Sequence, residues 1–238
     1  LVDVGDPVEM ASLYNLEGAD ELTFLDISAS VVGRETTLDV VRRTAEQVFI
    51  PLTVGGGIKT LLDIEIRLRA GADKISINRS AIIDPSLIRL ASREFGRQCI
   101  VVSVDYEENG VERYLHTTSG LKFSGNPKKA LDWLLEIEEL GAGEILLNSV
   151  SRDGMKTGYD ISFLEKAASI VQIPIIACGG AGSWEHLEEV LSETNVDAVA
   201  AANIFHFQDQ SVFLARKHLT SLGLPVRPAS IQMKKRLN

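Results

Sequence analysis

The sequence predicts an α/β fold, a (βα)8 TIM barrel assembled from two half-barrel repeats, and three observations carry that expectation. Short apolar β-type runs alternate with longer amphipathic runs, the chain matches itself at one fixed offset, and no low-complexity linker divides it. Strands that are apolar throughout and separated by helices imply a parallel sheet covered on both faces. A chain of 238 residues, 45% of them hydrophobic, is long enough for one such domain with a sizeable core.

Taken in order, the first strand pattern is LTFLD (22–26), and TLDVVRRTAEQV leads from it to FIPLTVG (49–55). LLDIEIRLRAG then precedes KISIN (74–78), and PSLIRLASREFG precedes CIVVSVD (99–105). PKKALDWLLEIEELG precedes EILLNS (144–149), ISFLEKAASIV precedes IPIIACG (173–179), and SWEHLEEVLSET precedes AVAAAN (198–203). The helical runs place apolar residues three and four apart, the period of one helix face. The connections are short, so residues 1–228 read as a single barrel domain and 229–238 as a solvated charged tail.

The repeat relates ADELTFLDIS to AGEILLNSVS, with Glu21 and Glu144 separated by 123 positions. IPLTVGGGI and IPIIACGGAG carry Pro51 and Pro174, again 123 apart, and Asp73 and Asp197 stand 124 apart in the third match. Three matches at offsets of 123 to 124 read as two half-barrels of common descent. The strand patterns number seven, whereas a closed parallel barrel has eight. The strand carrying Asp105 has no counterpart at the offset. The repeat therefore predicts a first strand upstream of Leu1, ending in a position equivalent to Asp105, and the sequence reads as a fragment or as one with a segment omitted or relocated.

The net charge of −9 argues against broad nucleic-acid binding, which needs a basic surface, while leaving local basic pockets open. Cys99 and Cys178 lie in apolar runs and read as buried thiols in a reducing compartment. No secretory signal and no stretch apolar enough to span a membrane is found, so a cytoplasmic location is expected.

In parallel barrels the reacting groups sit at the C-terminal ends of the strands. Here those ends hold Asp26, the glycines 55–57, Asn78 with Arg79, Asp105, NSVSRDG (148–154), GGAG (179–182) and Ala202 with Asn203. Glycine turns let backbone N–H groups approach an anion, and helix N-termini there add a favourable dipole. Two such turns at the repeat offset suit a substrate with a phosphate at each end. Asp105 is the candidate general acid or base, because a carboxylate partly screened from water at a strand end can be tuned toward working pH. A salt bridge at the barrel rim is the competing explanation, and the predicted upstream partner favours catalysis. Asp153 either binds substrate or orients the loop around Gly154 and Gly158. His186 and His218 read as surface residues on helices, His206 as a packing or capping residue and His116 as incidental; none has metal-ligand spacing. Trp133 and Trp184 read as helix packing.

DELTFLDISAS, IPLTVGGGI, GADKISIN, the Asp105 strand followed by TTSG, GAGEILLNSVSRDGMKTGYD, IIACGGAG and AAANIFHF together resemble the cyclase family of imidazole glycerol phosphate synthase, in histidine biosynthesis. The resemblance runs from about Gly5 to Arg227. It implies a barrel lyase that takes a phosphoribulosyl-formimino-aminoimidazole-carboxamide ribonucleotide, phosphorylated at both ends, and ammonia. The products are imidazole glycerol phosphate and aminoimidazole carboxamide ribonucleotide, and no cofactor or metal is implied. Ammonia would come from a glutaminase subunit or fused domain docked near Asp73. By the same resemblance Asp105 is the general acid, paired with an Asp on the first strand. Gly57, Asn78 and Arg79 match one phosphate station, and Gly154, Gly180, Ala202 and Asn203 the other. Asp26, Ser119, Asn148 and Asp153 match further substrate-side positions, and Glu21, Lys74 and Glu144 match a charged ring through which ammonia enters. Arg79 and Asn203 depart from the small hydroxyl residues implied there, which leaves backbone contacts to phosphate.

The sister isomerase of the pathway shares the repeat, both phosphate stations and an equivalent Asp pair, yet needs no ammonia gate. Two more distant rivals are a non-catalytic barrel that binds phosphate or a partner, and an ammonia-using enzyme of surface-sugar synthesis. FLDISAS, TTSG and the Glu–Lys–Glu ring favour the cyclase.

Overall fold

A computed structural model describes residues 5–26, 34–116, 128–206 and 211–228. The chain divides into two compact units, residues 1–75 with 205–238, and residues 76–204.

The first unit opens with α1 (Pro7–Glu17). Asp6 caps it by accepting the Val8 N–H at 2.7 Å, Pro7 occupies the first turn, and Gly18 closes it at φ 90°. Proline at the start and a left-handed glycine at the end are the favoured helix boundaries. Strand β1 (Leu22–Leu25) follows, then α2 (Arg34–Ala45), β2 (Leu52–Gly55) and α3 (Leu61–Arg69). β1 runs parallel to β2 with Leu22 opposite Leu52 and Leu25 opposite Gly55. β2 is buried at every residue. In β1, Thr23 and Leu25 stay exposed, because among the described residues β1 pairs with β2 alone.

The unit boundary falls within β3 (Lys74–Ile77). The second unit continues with α4 (Arg79–Ile83), α5 (Ser86–Phe95), β4 (Ile100–Asn109), β5 (Glu112–Leu115) and α6 (Ala130–Glu139). Then come β6 (Glu144–Ser149), α7 (Ile161–Ile170), β7 (Ile175–Cys178), α8 (Trp184–Glu193), β8 (Ala198–Val199) and α9 (Asn203–His206). α10 (Val212–Ser221) returns to the first unit. β4, β6, β7 and β8 pair parallel in that order, in register from Val101 opposite Glu144 to Ala177 opposite Val199. Val102, Val104, Ile145 and Leu147 fill the sheet, while Trp133, Leu134 and Ile137 of α6 are fully buried. Helices alternating with parallel strands are the α/β, (βα)8-barrel class, as expected.

Three details differ from the sequence expectation. β4 does not stop at Asp105 but runs on to Asn109 and folds back antiparallel as β5, with Glu108 opposite Arg113. The turn residues Asn109 and Gly110 (φ 62°) are the hairpin signal within VDYEENG. Cys99 lies in a 3-10 turn before β4 and is only half-buried, so it is not a core thiol. AVAAAN is a strand only at its first two residues, and Asn203 opens α9.

Candidate active site

Parallel register sets the first relationship: Asp105 of β4 lies beside Asn148 of β6, and Asn148 beside Cys178 of β7. Odd and even residues of a strand face opposite sides, so this row presents three polar side chains on one face. The Asn148 amide donates to one carboxylate oxygen of Asp105 at 2.9 Å. The Asn78 amide, from just beyond β3, donates to the other at 2.8 Å. Both oxygens are thereby oriented, and a carboxylate held this way can take up or deliver a proton at a fixed place.

The carbonyl oxygen of the Asn148 side chain is buried and accepts no hydrogen bond among the described residues. A buried acceptor left open beside a carboxylate suits a donor that arrives with a ligand. Gly179 (φ 88°) is required alongside, since a Cβ there would stand 2.9 Å from that oxygen and 2.6 Å from the Ser149 carbonyl. Burial, and then the carboxylates of Asp153 and Asp105, push the Cys178 thiol up to about 12. Cys178 therefore stays protonated and borders the site as a polarizable wall, not as a nucleophile.

The loop from β6 to α7 carries Asp153 and Gly154, both exposed. A Cβ on Gly154 would lie 3.8 Å from the Asn203 amide nitrogen, so these two positions face one another. Gly180 packs on the Gly158 carbonyl, where a Cβ would come within 2.1 Å, and Gly158 N–H donates to the Gly180 carbonyl at 2.9 Å. Tyr159, almost wholly buried, donates to the Ala200 carbonyl at 2.9 Å and fixes the approach to Ala202. His186 is more than a surface residue: its Nδ1 accepts the Gly182 N–H at 3.1 Å and holds the GGAG turn.

In the first unit, a Cβ on Gly56 (φ 104°) would stand 2.1 Å from the Asp26 carbonyl, so the triple-glycine turn lies directly on the end of β1. Thr37 donates to the Asp26 carboxylate at 2.6 Å. Arg67, buried, donates to the carbonyls of Gly56 and Asp63 at 3.0 Å each and braces the turn from beneath. The N–H groups of Lys59 and Thr60 are taken by Asp63 in a capping box, so the start of α3 does not offer them to an anion. Gly57 is exposed and available.

Lys74 bridges both oxygens of Glu21 at 3.0 and 2.9 Å. Glu144 begins β6 in the second unit. Asp73 accepts the Leu52 N–H at 2.8 Å, and its repeat counterpart Asp197 accepts the Ile175 N–H at 2.9 Å. The same bond recurs at both repeat positions. Arg79 is exposed at the head of α4, and Asn78 spends its amide on Asp105 instead of reaching outward. Ser119 and the TTSG turn lie outside the described residues. Sequence reasoning did not single out Arg67, Cys178 or the β4–β5 hairpin as parts of the site.

The model of the histidine biosynthesis protein family matches residues 1–211. Imidazole glycerol phosphate synthase subunit HisF of Streptomyces coelicolor is 52% identical over 227 residues, which is 95% of this chain and 90% of that protein. The subunit of the same name from Dehalococcoides mccartyi is 49% identical over 227 residues, covering 95% of this chain and 89% of that protein.

Proposed function

This chain belongs to the histidine biosynthesis protein family, and we propose that the Asp105 carboxylate is the proton-transfer group of its reaction. The activity is that of the cyclase of imidazole glycerol phosphate synthase, an enzyme of histidine biosynthesis, and not that of the sister isomerase. Ammonia and the phosphoribulosyl-formimino ribonucleotide give imidazole glycerol phosphate and aminoimidazole carboxamide ribonucleotide. The observation that carries the role of Asp105 is its fixed carboxylate, gripped at 2.8 and 2.9 Å by two amides. Closing an imidazole ring requires protons to leave the attacking nitrogen and reach the departing groups, which a positioned carboxyl group accelerates by about 10²–10⁴-fold. The open Asn148 oxygen is suited to accept an N–H of the reacting nitrogen.

The phosphate ends go to two glycine turns. Gly57 of the first unit serves one, with Asp26 beside its turn, and Arg79 of the second unit is a phosphate-binding cation. Gly154, Gly180, Ala202 and Asn203 serve the other, through backbone N–H groups and the Asn203 amide. Asp153 and, by the resemblance, Ser119 are further substrate-side groups.

The subunit partner is a glutaminase that supplies ammonia. Its docking point is the cleft beside Asp73, which holds about 300 Å³ and exposes 89% of Phe49 next to Val48 and Pro51. Glu21 and Lys74, ion-paired at 2.9 Å in the first unit, are gate residues for ammonia, and Glu144 is one in the second unit.

Turnover of the ribonucleotide by the full-length protein, with and without an ammonium salt, tests this reading. The cyclase needs ammonium and releases aminoimidazole carboxamide ribonucleotide. Isomerisation of the precursor without ammonium would contradict it.

A further inference from the structure

The β4–β5 hairpin, absent from the sequence expectation, reaches the loop that joins β6 to α7. Val150 N–H donates to the Tyr106 carbonyl at 2.9 Å, and Glu108 N–H donates to the Ser151 hydroxyl at 3.1 Å. Arg152 then reaches back. Its Nε donates to Glu108 Oε1 at 2.7 Å, while Nη1 lies 3.4 and 3.2 Å from the carbonyls of Gly158 and Tyr159. One guanidinium therefore joins the hairpin to both ends of the loop. The far end is tied a second time, because Arg113 Nε donates to the buried carboxylate of Asp160 at 2.6 Å. Arg113 also lies 3.7 Å from the second oxygen of Glu108 and 5.9 Å from the centre of the Phe163 ring. Two arginines and two carboxylates close a neutral network.

Between these ties the loop turns through left-handed backbone, which glycine adopts freely but a non-glycine residue holds only where its surroundings enforce it. Gly154 and Lys156 sit at φ 74° and 60°, and Lys156 is the one non-glycine with positive φ among the described residues. Asp153 is the next residue after Arg152.

We propose that Glu108 and Arg152 form a positioning clamp that sets Asp153 and Gly154 against the phosphorylated end of the substrate. The inference rests on the reading of Asp153 and Gly154 as substrate-side groups. Glu108 and Arg152 are each a little over a quarter exposed, and pairs this open to water contribute little to stability. The planar guanidinium of Arg152 instead spans two partners, Glu108 through Nε and the Gly158 and Tyr159 carbonyls through Nη1, and this defines where the loop stands. Because Glu108 lies on the same strand as Asp105, three residues on, the clamp ties the substrate-holding loop to the strand that carries the acid–base group.

The test is steady-state kinetics of the full-length protein at saturating ammonium, with melting temperature recorded for each variant. Arg152→Met and Glu108→Gln are each expected to raise KM for the ribonucleotide about tenfold, with kcat within about threefold and the melting temperature within a few degrees. The double variant matches the worse single, since the two residues act as one device, and Arg152→Lys recovers part of the loss. Should Arg152→Met fail to fold, the near-isosteric Glu108→Gln carries the test alone. KM unmoved in both singles, while Asp153→Asn raises it, would overturn the clamp and leave the substrate-side reading standing. KM unmoved in Asp153→Asn as well would overturn both.

Discussion

The side-chain amide of Asn148 lies 2.9 Å from the carboxylate of Asp105, its direct neighbour across the parallel pair β4–β6. Neighbouring strands stand about 4.8 Å apart, so two polar residues in register at their ends must either meet or be solvated separately. Here they meet, and with Asn78 they leave Asp105 no rotational choice.

Removing one of the two grips frees one carboxylate oxygen. Asn148→Leu is expected to lower kcat about ten- to a hundredfold, in line with a lost charge-assisted hydrogen bond of about 1.5–3 kcal/mol. KM for the ribonucleotide stays within about threefold. Steady-state kinetics checks the split, and a loss confined to KM would reassign Asn148 to binding.

The triple-glycine turn is committed sterically. Gly56→Ala places a Cβ 2.1 Å from the Asp26 carbonyl at φ 104°. Backbone must shift to accommodate it, and unfolding in urea is expected to show a loss of about 2 kcal/mol or more. Gly110→Ala, at φ 62° with nothing within 4 Å, is the control and costs distinctly less.

Cys178 supplies a pH dependence. Its native pKa, pushed up to about 12 from 9.0, means the folded state holds the thiol proton more tightly than the unfolded state. The associated stability is complete below about pH 9 and declines as pH rises toward 12. Cys178→Ala flattens that decline. At neutral pH the native thiol also resists iodoacetamide, which mass spectrometry of the digested protein reads directly.

His206 titrates with the opposite sense. Burial lowers its pKa below 6.5, and Nδ1 sits 2.5 Å from the Tyr14 hydroxyl. The unfolded chain therefore binds the proton first, so stability present above about pH 6.5 is lost as pH falls. His206→Gln is expected to remove part of the slope of melting temperature against pH between 6.5 and 5.

The strands and the helices between them were legible because apolar period and length speak directly to parallel pairing. The repeat also went further than expected: Asp73 and Asp197 make the same bond to the neighbouring strand. α1 was signalled by Asp6, Pro7 and Gly18, yet its apolar residues follow no helical face and it escaped notice. The hairpin was hidden because β4 changes partner at Tyr106, pairing with β6 before it and with β5 after it, and one apolar pattern cannot describe both. Within the site, residue types at strand ends named Asp105, Asn78 and Asn148. That two amides share one carboxylate is a matter of register, which sequence spacing does not contain. Arg67 and Arg152 bind backbone carbonyls, and such partners leave no trace in a sequence.

The most direct test is the Asp105→Asn variant of the full-length protein, assayed with the ribonucleotide and ammonium salt beside a measurement of substrate binding. The account predicts that kcat falls by about a hundredfold or more while the ribonucleotide binds with an affinity within about threefold of the parent. Retained turnover together with lost binding would contradict it, and would make Asp105 a substrate anchor instead of the group that moves the proton.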